Sequence, residues 1–133
     1  MKKEEKKNAY LYCKIRDEQF ALYDEYAKRH GMLMKTLLVL NVLFYAEEGI
    51  TQTEICRRTL QSKQTVNVII KNLLSDSYVT VMETPENRRN KMVQMTESGR
   101  AYCEKIVRHI TWAEVTAMSM LTAEEQKQLI DLS

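Results

Sequence analysis

The stretch Gly49–Gly99 reads GITQTEICRRTLQSKQTVNVIIKNLLSDSYVTVMETPENRRNKMVQMTESG, and the order of its patterns decides the fold. Its first part has the features of a helix start. Thr51 is of a type that caps orphan backbone amides, and Glu54, three residues later, completes the capping-box pattern. These features predict a helix that begins at about Gln52.

A second helix is predicted to begin at Ser62, because a hydroxyl side chain is favoured at that end of a helix. Its apolar residues recur at the spacing of one buried helix face: Val66, Ile69, Ile70 and Leu73. The opposite face holds two amides, an isopropyl group and an ammonium: Gln64, Asn67, Val68 and Lys71. These groups suit adenine edges, a thymine methyl and phosphate or guanine, although every amphipathic helix has some polar face.

Two short runs rich in β-branched and aromatic residues follow, at Tyr78–Glu83 and Met92–Thr96, and predict the strands of a hairpin. Pro85 has no amide proton for a ladder and is predicted to end the first strand. The loop between the strands has one carboxylate, Glu86, and three cations, Arg88, Arg89 and Lys91. A basic loop is often only a solvated turn. Beside the second helix, which we call the reading helix because its polar face suits base edges, the loop could bind phosphates or enter a narrow minor groove.

Two helices, a tight connector and a basic hairpin predict a winged helix-turn-helix, a mainly α fold with a small β-hairpin wing. The chain resembles the MarR-type transcriptional regulators in its two helix starts and its wing, at residues 51–56, residues 62–66, Arg89, Val93, Met95, Thr96 and Gly99. That family usually has an acidic residue two before the wing arginine, where this chain has Asn87. The resemblance implies helical dimerisation regions formed by both chain ends.

The expected organisation is a single domain over residues 1–133. A winged helix-turn-helix unit is expected at residues 32–99, and a helical dimerisation region at residues 1–31 and 100–133. Apolar residues recur at helical spacing from about Lys6 to Lys28, with Gly31 predicted as the C-terminal cap. Thr122 and Glu125 form a capping box for a last helix. These apolar stripes have few partners within one chain. Each could pack on the winged unit, but together with the resemblance they favour an intertwined homodimer.

The residues predicted to contact double-stranded DNA lie on the two short helices and the wing: Gln52, Ser62, Lys63, Gln64, Thr65, Asn67, Val68, Lys71, Arg88, Arg89 and Lys91. Ser62 and Gln52 are expected to contact the DNA backbone. Lys63 and Thr65 lie near the N-terminus of the second helix, where amides and the helix dipole favour phosphate. A dimer would place two reading helices about 34–36 Å apart, so the expected target is an inverted repeat.

These features together predict a dimeric, sequence-specific transcription regulator that represses by occupying a promoter. The alternative is a winged-helix protein-interaction or assembly module that does not read DNA, because a fold does not dictate function. An enzyme is not expected, since His30 and His109 lie in no nucleophile or metal motif and the three glycines form no phosphate loop. The sequence predicts no cofactor and no metal.

A small-molecule effector is a further expectation, because regulators of the resembled family commonly hold one between the dimerisation helices and the winged unit. Four residues near the end of the first long helix combine apolar walls with polar tips: Tyr23, Tyr26, His30 and Met34. Their spacing is equally that of core residues. Both interpretations remain open.

Charge and cysteine content bear on partners and compartment. The formal charge is only +2, yet residues 57–91 hold seven cations against three anions, so the basicity is local. No apolar signal core follows the charged start, and residues 37–45 fall well short of the ~20 that a spanning helix needs. Three cysteines, an odd number, fit a reducing cytoplasm. Cys56 is interpreted as a packing residue, and Cys13 and Cys103 raise the hypothesis of an oxidant-sensitive switch.

Overall fold

The computed structural model describes residues 2–84 and 87–133, and the side chains of residues 84 and 87–89 lie outside the described part. The described residues form six helices and three strands: α1 (Lys3–Arg29), α2 (Met34–Tyr45), β1 (Ile50–Thr51), α3 (Gln52–Thr59), α4 (Lys63–Ser75), β2 (Val79–Thr84), β3 (Asn87–Met95), α5 (Glu97–Ser119) and α6 (Ala123–Leu132). The predicted mainly α fold with a small β wing is confirmed.

The chain divides into two compact units, Met1–Val39 and Leu40–Ser133, and the boundary falls within α2. The core of the second unit is made of apolar side chains from α2 to α5 and the sheet, including Leu40, Leu43, Phe44, Ile55, Val66, Ile70, Val79, Val93, Val107 and Ile110. Helix α6 contributes no buried residue. None of the described helices is long and apolar enough to cross a membrane.

The start of α3 lies at Gln52, as predicted, and Thr51 caps it by accepting a hydrogen bond from the Glu54 amide at 3.2 Å. The second half of the predicted capping box does not form. The Glu54 carboxylate instead accepts hydrogen bonds from Arg57 and Arg58. These guanidinium groups follow one turn later on the same helix, and a charged donor binds a carboxylate more strongly than a neutral amide does.

Helix α4 also begins where predicted, with Ser62 as its N-cap accepting a hydrogen bond from the Thr65 amide at 3.1 Å. All four residues of its predicted apolar face are buried: Val66, Ile69, Ile70 and Leu73. The helix therefore turns its polar face away from the core. Between α3 and α4, Leu60 adopts the left-handed conformation with φ 54° and closes the tight connector.

The predicted hairpin is confirmed, but it belongs to a three-stranded antiparallel sheet in the order β1-β3-β2. Strand β1 was not predicted, because its two residues read as the approach to a helix. Val93 pairs with Ile50 on one side and with Val81 on the other. Strand β3 begins at Asn87, five residues before the predicted start, since the ladder continues into the basic segment. The prediction for Pro85 lies outside the described residues.

The two long terminal patterns also form helices. Helix α1 ends in a Schellman arrangement, in which Gly31 has φ 71° and the Met32 amide donates to the Ala27 carbonyl at 3.1 Å. Gly31 thus terminates the helix as predicted. Thr122 and Glu125 form both halves of the predicted capping box at the start of α6.

Candidate nucleic-acid interface

A groove of about 450 Å³ lies between α3, α4 and β3. It is lined by three residues of α3, three of α4 and one of β3: Gln52, Thr53, Cys56, Lys63, Gln64, Asn67 and Lys91. The lining therefore combines amides, hydroxyl, thiol and two ammonium groups. Such a mixture suits hydrogen bonds to base edges and charge contacts with phosphates.

Five of the residues predicted to contact DNA line this groove together: Gln52, Lys63, Gln64, Asn67 and Lys91. Thr53 and Cys56 were not in the predicted set. Helical spacing was the available signal for Cys56, which lies four positions after Gln52 on the same face of α3, whereas nothing in the local pattern singled out Thr53. Ser62, Thr65, Val68 and Lys71 lie on α4 or at its cap but do not line the groove.

The outer face of α4 is open to solvent beside the groove. Gln64 and Lys71 are exposed, and Val68 is 57% exposed although it is apolar. An isolated exposed valine costs little, and its isopropyl group is of a kind that can contact a thymine methyl. Arg88 and Arg89 belong to β3, and their side chains lie outside the described residues.

The N-terminus of α4 is already capped from within the chain. The Ser62 hydroxyl accepts from the Thr65 amide and donates to the Thr65 hydroxyl at 2.9 Å. Both predicted contact residues therefore have a local role in helix capping. Lys63 stands next to this cap, exposed to solvent, where the helix dipole adds to its own positive charge.

Two hydrogen bonds join the elements that line the groove. Gln52 Nε2 donates to Asn67 Oδ1 at 3.4 Å, which connects α3 to α4. The Thr53 amide donates to Asn90 Oδ1 at 3.3 Å, which connects the start of α3 to strand β3. Asn90 was not singled out from the sequence, because nothing in its local pattern indicates a partner 37 residues away. The two bonds connect α3 to α4 and to strand β3 at the groove.

The charge of the interface is unevenly distributed. Hydrogen bonds from Arg57 and Arg58 lower the pKa of Glu54 from its ordinary 4.5 to about 2, so this carboxylate stays ionised and offsets part of their charge. Lys91 forms an ion pair with Glu83, with 3.8 Å between Lys91 Nζ and Glu83 Oε1. Lys63 and Lys71 form no ion pair within the described part of the chain. No carboxylate of the described residues offsets the positive charge of these two α4 lysines, so that charge is available to phosphate.

The four residues proposed for an effector all lie in the unit Met1–Val39. Tyr26 and His30 contact each other edge to face, with ring centroids 4.7 Å apart, and burial raises the pKa of Tyr26. Tyr23 and Met34 are half-buried. No side-chain group of the described residues brings three His, Cys, Asp or Glu together in a way that could hold a metal ion.

Three comparisons bear on the family. Residues 30–90 match the family model described as MarR family. No similar sequence was found among curated proteins. Among solved structures, AbsC, a MarR family transcriptional regulator from Streptomyces coelicolor, is 16% identical with a TM-score of 0.82 over 99% of this chain and 90% of that chain.

Two structures of Staphylococcus aureus MepR are also similar, each 22% identical over 93% of this chain and 91% of that chain. The TM-score is 0.79 for MepR in its DNA-binding conformation and 0.73 for a MepR–DNA complex. The fold is thus shared along nearly the whole chain, including both terminal helices. Over residues 30–90 the chain is therefore similar to the MarR family, and along the rest of its length the similarity to these winged helix-turn-helix structures is one of fold.

Proposed function

We propose that this chain is a sequence-specific DNA-binding regulator that acts as a homodimer on an inverted-repeat operator. The observation that carries the proposal is the groove in which five independently predicted contact residues meet. Its amides come from two different helices, and its cations flank them on α4 and β3. A groove for an apolar protein partner would instead be lined mainly by aromatic and aliphatic side chains.

The family match and the MepR–DNA complex support the same assignment, because that relative is seen with DNA and shares this fold. In helix-turn-helix proteins the second helix enters the major groove. Here that helix is α4, whose polar face is exposed beside the groove. We assign base contacts to Gln64, Asn67, Val68 and Lys71, and phosphate contacts to Lys63 and to the wing residues Arg88, Arg89 and Lys91.

The homodimer is supported by apolar side chains that remain exposed on the terminal helices of the single chain. On α1 these include Tyr10, Tyr12, Ile15, Phe20 and Leu22, and on α5 and α6 they include Trp112, Val115, Leu129, Ile130 and Leu132. Exposed apolar surface of this extent indicates an interaction site. A two-fold dimer built on these helices would present two copies of α4 to successive major grooves.

We further propose that the dimer represses transcription by occupying a promoter. We also propose that a small ligand changes the distance between the two copies of α4 in the dimer. Tyr23, Tyr26, His30 and Met34 are the candidate ligand contacts. A ligand can act in this way only if it binds the free and DNA-bound forms with different affinity. Equal affinity for the two forms would exclude regulation by that ligand.

The test is a selection of bound sequences from random duplex DNA, followed by affinity measurements over a range of salt concentrations. We expect an inverted repeat with half-site centres about 10 base pairs apart or a multiple of that. Lys63→Ala and Arg89→Ala should each weaken binding to all sequences and reduce the salt slope by about one. Lys105→Ala, an exposed change on α5 away from the groove, is the matched control.

An assembly module that does not read DNA would give a different result. It would enrich no sequence in the selection, and its weak binding to duplex DNA would not respond to Lys63→Ala more than to Lys105→Ala. That outcome would overturn the proposed function.

A further inference from the structure

Two amide side chains meet across the helix-turn-helix inside the groove. Gln52 is the first residue of α3, and Asn67 lies in the second turn of α4. Gln52 Nε2 donates a hydrogen bond to Asn67 Oδ1 at 3.4 Å, and both side chains are half-buried. The contact therefore joins an amide of the first helix to an amide of the reading helix.

This hydrogen bond determines which atom of the Asn67 amide faces away from Gln52 and can bind a DNA base. A primary amide has one carbonyl oxygen that accepts and one NH2 group that donates. Asn67 Oδ1 accepts from Gln52, whereas Nδ2 has no hydrogen-bond partner among the residues that the structure describes. An asparagine with free choice of orientation pairs with adenine through both atoms at once. Asn67 is instead held with its donor available.

We propose that Gln52 is a positioning residue that sets the base preference of Asn67, an inference that rests on the DNA-binding function proposed above. By holding Oδ1 toward α3, Gln52 turns the opposite side of the amide, with its Nδ2 donor, to the DNA. Asn67 then favours a base that offers acceptors and no donor in the major groove, which is guanine through N7 and O6 or thymine through O4, over adenine, whose N7 acceptor lies beside the N6 donor. This role differs from the contact with the DNA backbone that the sequence predicted for Gln52.

The pair is not required to hold α3 against α4. Ile55 of α3 and Val66 of α4 are fully buried, and such apolar packing dominates the stability of a helix pair. A long hydrogen bond between half-exposed amides exchanges readily with water and contributes little beside it. Loss of the bond should therefore change which bases are preferred while leaving the fold intact.

The test compares base preferences of the wild-type protein and Gln52→Glu by selection from random duplex DNA. A carboxylate can only accept, so the Asn67 amide is expected to turn and donate Nδ2 to it, with Oδ1 presented to the DNA. Preference for guanine or thymine, which present no donor there, should be lost, and a base with a donor should be preferred, which is cytosine through N4 or adenine through N6. The shift in preference should be on the order of tenfold at one position per half-site.

The position read by Asn67 is identified as the one where Asn67→Ala loses its preference. Thr53→Glu is the matched control, because it adds the same charge to the groove lining on the same helix without reaching Asn67 through Gln52. It should lower affinity for all sequences and leave the preferred bases unchanged. The double variant Gln52→Glu/Asn67→Ala should have the profile of Asn67→Ala alone.

The failures of the two proposals are distinguishable. If the wild-type protein enriches no sequence, both are overturned. If it enriches an operator and Gln52→Glu prefers the same bases, or shifts them equally in the Asn67→Ala background, the positioning role of Gln52 is overturned and the DNA-binding function stands. A thermal unfolding midpoint equal to that of the wild type confirms that the variants are folded.

Discussion

At the scale of single residues, Gly99 shows how one missing side chain permits the wing to join the last long helix. A Cβ atom at this position would lie 2.1 Å from the carbonyl oxygen of Tyr78. The same carbonyl accepts a hydrogen bond from the Thr96 amide at 2.9 Å, so it is held in place. The glycine is therefore required by close backbone contact between the start of β2 and the first turn of α5.

We expect Gly99→Ala to lower the free energy of unfolding by about 2 kcal/mol or more, because the added methyl group forces backbone atoms apart. Chemical denaturation measures this change. Ser98→Ala, an exposed change in the same helical turn, should stay within about 0.5 kcal/mol of the wild type. Equal stability of the two variants would contradict the close contact.

Cys103 is fully buried, and its Sγ atom lies 3.5 Å from the sulfur of Met95. Burial raises the pKa of this thiol to about 11. Since the thiolate is the reactive form, Cys103 remains almost entirely protonated and unreactive near neutral pH. The structure therefore disfavours Cys103 as the first target of an oxidant, whereas a role for Cys13 stays a prediction.

Alkylation with iodoacetamide at pH 8, followed by peptide mass spectrometry, checks this order of reactivity. We expect Cys103 in the folded protein to react at least tenfold more slowly than the half-buried Cys13 and Cys56. In denaturant the three thiols should react at similar rates. Equal rates in the folded protein would show that the Cys103 thiol is accessible.

At the scale of elements, the connector between α3 and α4 depends on a residue in an unfavourable conformation. Leu60 has φ 54° and ψ 37°, and its side chain is 92% exposed. The left-handed region costs an L-residue about 1–2 kcal/mol, and an exposed leucine recovers little of this cost through packing. The turn is therefore held by the packing of the two helices that it connects.

Leu60→Gly is expected to raise the free energy of unfolding by about 0.5–1 kcal/mol, since glycine adopts positive φ without steric penalty. Thr59→Gly, one residue earlier at the last position of α3, should lower it by a similar amount, because glycine has a low helix propensity and removes the hydrogen bond from Thr59 Oγ1 to the Ile55 carbonyl. Denaturant melting of both variants measures the difference. A loss of stability in Leu60→Gly would show that the leucine side chain has a partner.

Helix α3 controls part of the charge at the interface through Glu54. Its lowered pKa means that its ion pairs with Arg57 and Arg58 contribute stability above pH 4.5 and lose it only as the pH falls toward about 2. Arg57 lies one helical turn after Thr53, which lines the groove. Removing the carboxylate therefore frees two guanidinium groups close to the proposed DNA path.

We expect Glu54→Gln to bind non-specific duplex DNA more tightly and to steepen the dependence of log affinity on log salt by about one to two units. Fluorescence anisotropy with a labelled duplex at several salt concentrations measures this slope. Glu104→Gln, which removes a carboxylate paired with Arg108 on α5, should leave it unchanged. The same slope for all three proteins would place Arg57 and Arg58 away from the DNA.

At the scale of the whole molecule, substitutions on the terminal helices test the proposed dimer. We expect the wild type to sediment at twice its chain mass of 15.7 kDa. Ile130→Glu should raise the dimer dissociation constant by on the order of a hundredfold, because a two-fold interface loses the burial of two isoleucine side chains. Gln128→Glu adds the same charge to α6 at a polar position and is expected to leave the dimer intact.

Analytical ultracentrifugation over a range of protein concentrations distinguishes these outcomes. A wild-type protein that remains a single chain at micromolar concentration would contradict the proposed dimer. So would a dimer that is equally stable in both variants.

The fold was predictable wherever an element is specified by residues a few positions apart. Thr51 and Ser62 cap their helices, and the apolar spacing from Val66 to Leu73 marks the buried face of α4. Caps and helical faces depend on atoms within one or two turns, so the linear sequence contains the information. The short strand β1 was missed because its two residues become a strand only when paired with β3.

The sequence alone determined where α3, α4 and α6 begin and which face of α4 is buried. Only the tertiary structure decided that Gln52 binds Asn67, that Asn90 reaches the start of α3, and that Tyr78 requires a glycine at position 99. Each of these contacts joins segments 15 or more residues apart to within a few ångströms. Such distances follow from how the whole chain packs, whereas caps and periodicity follow from the local backbone.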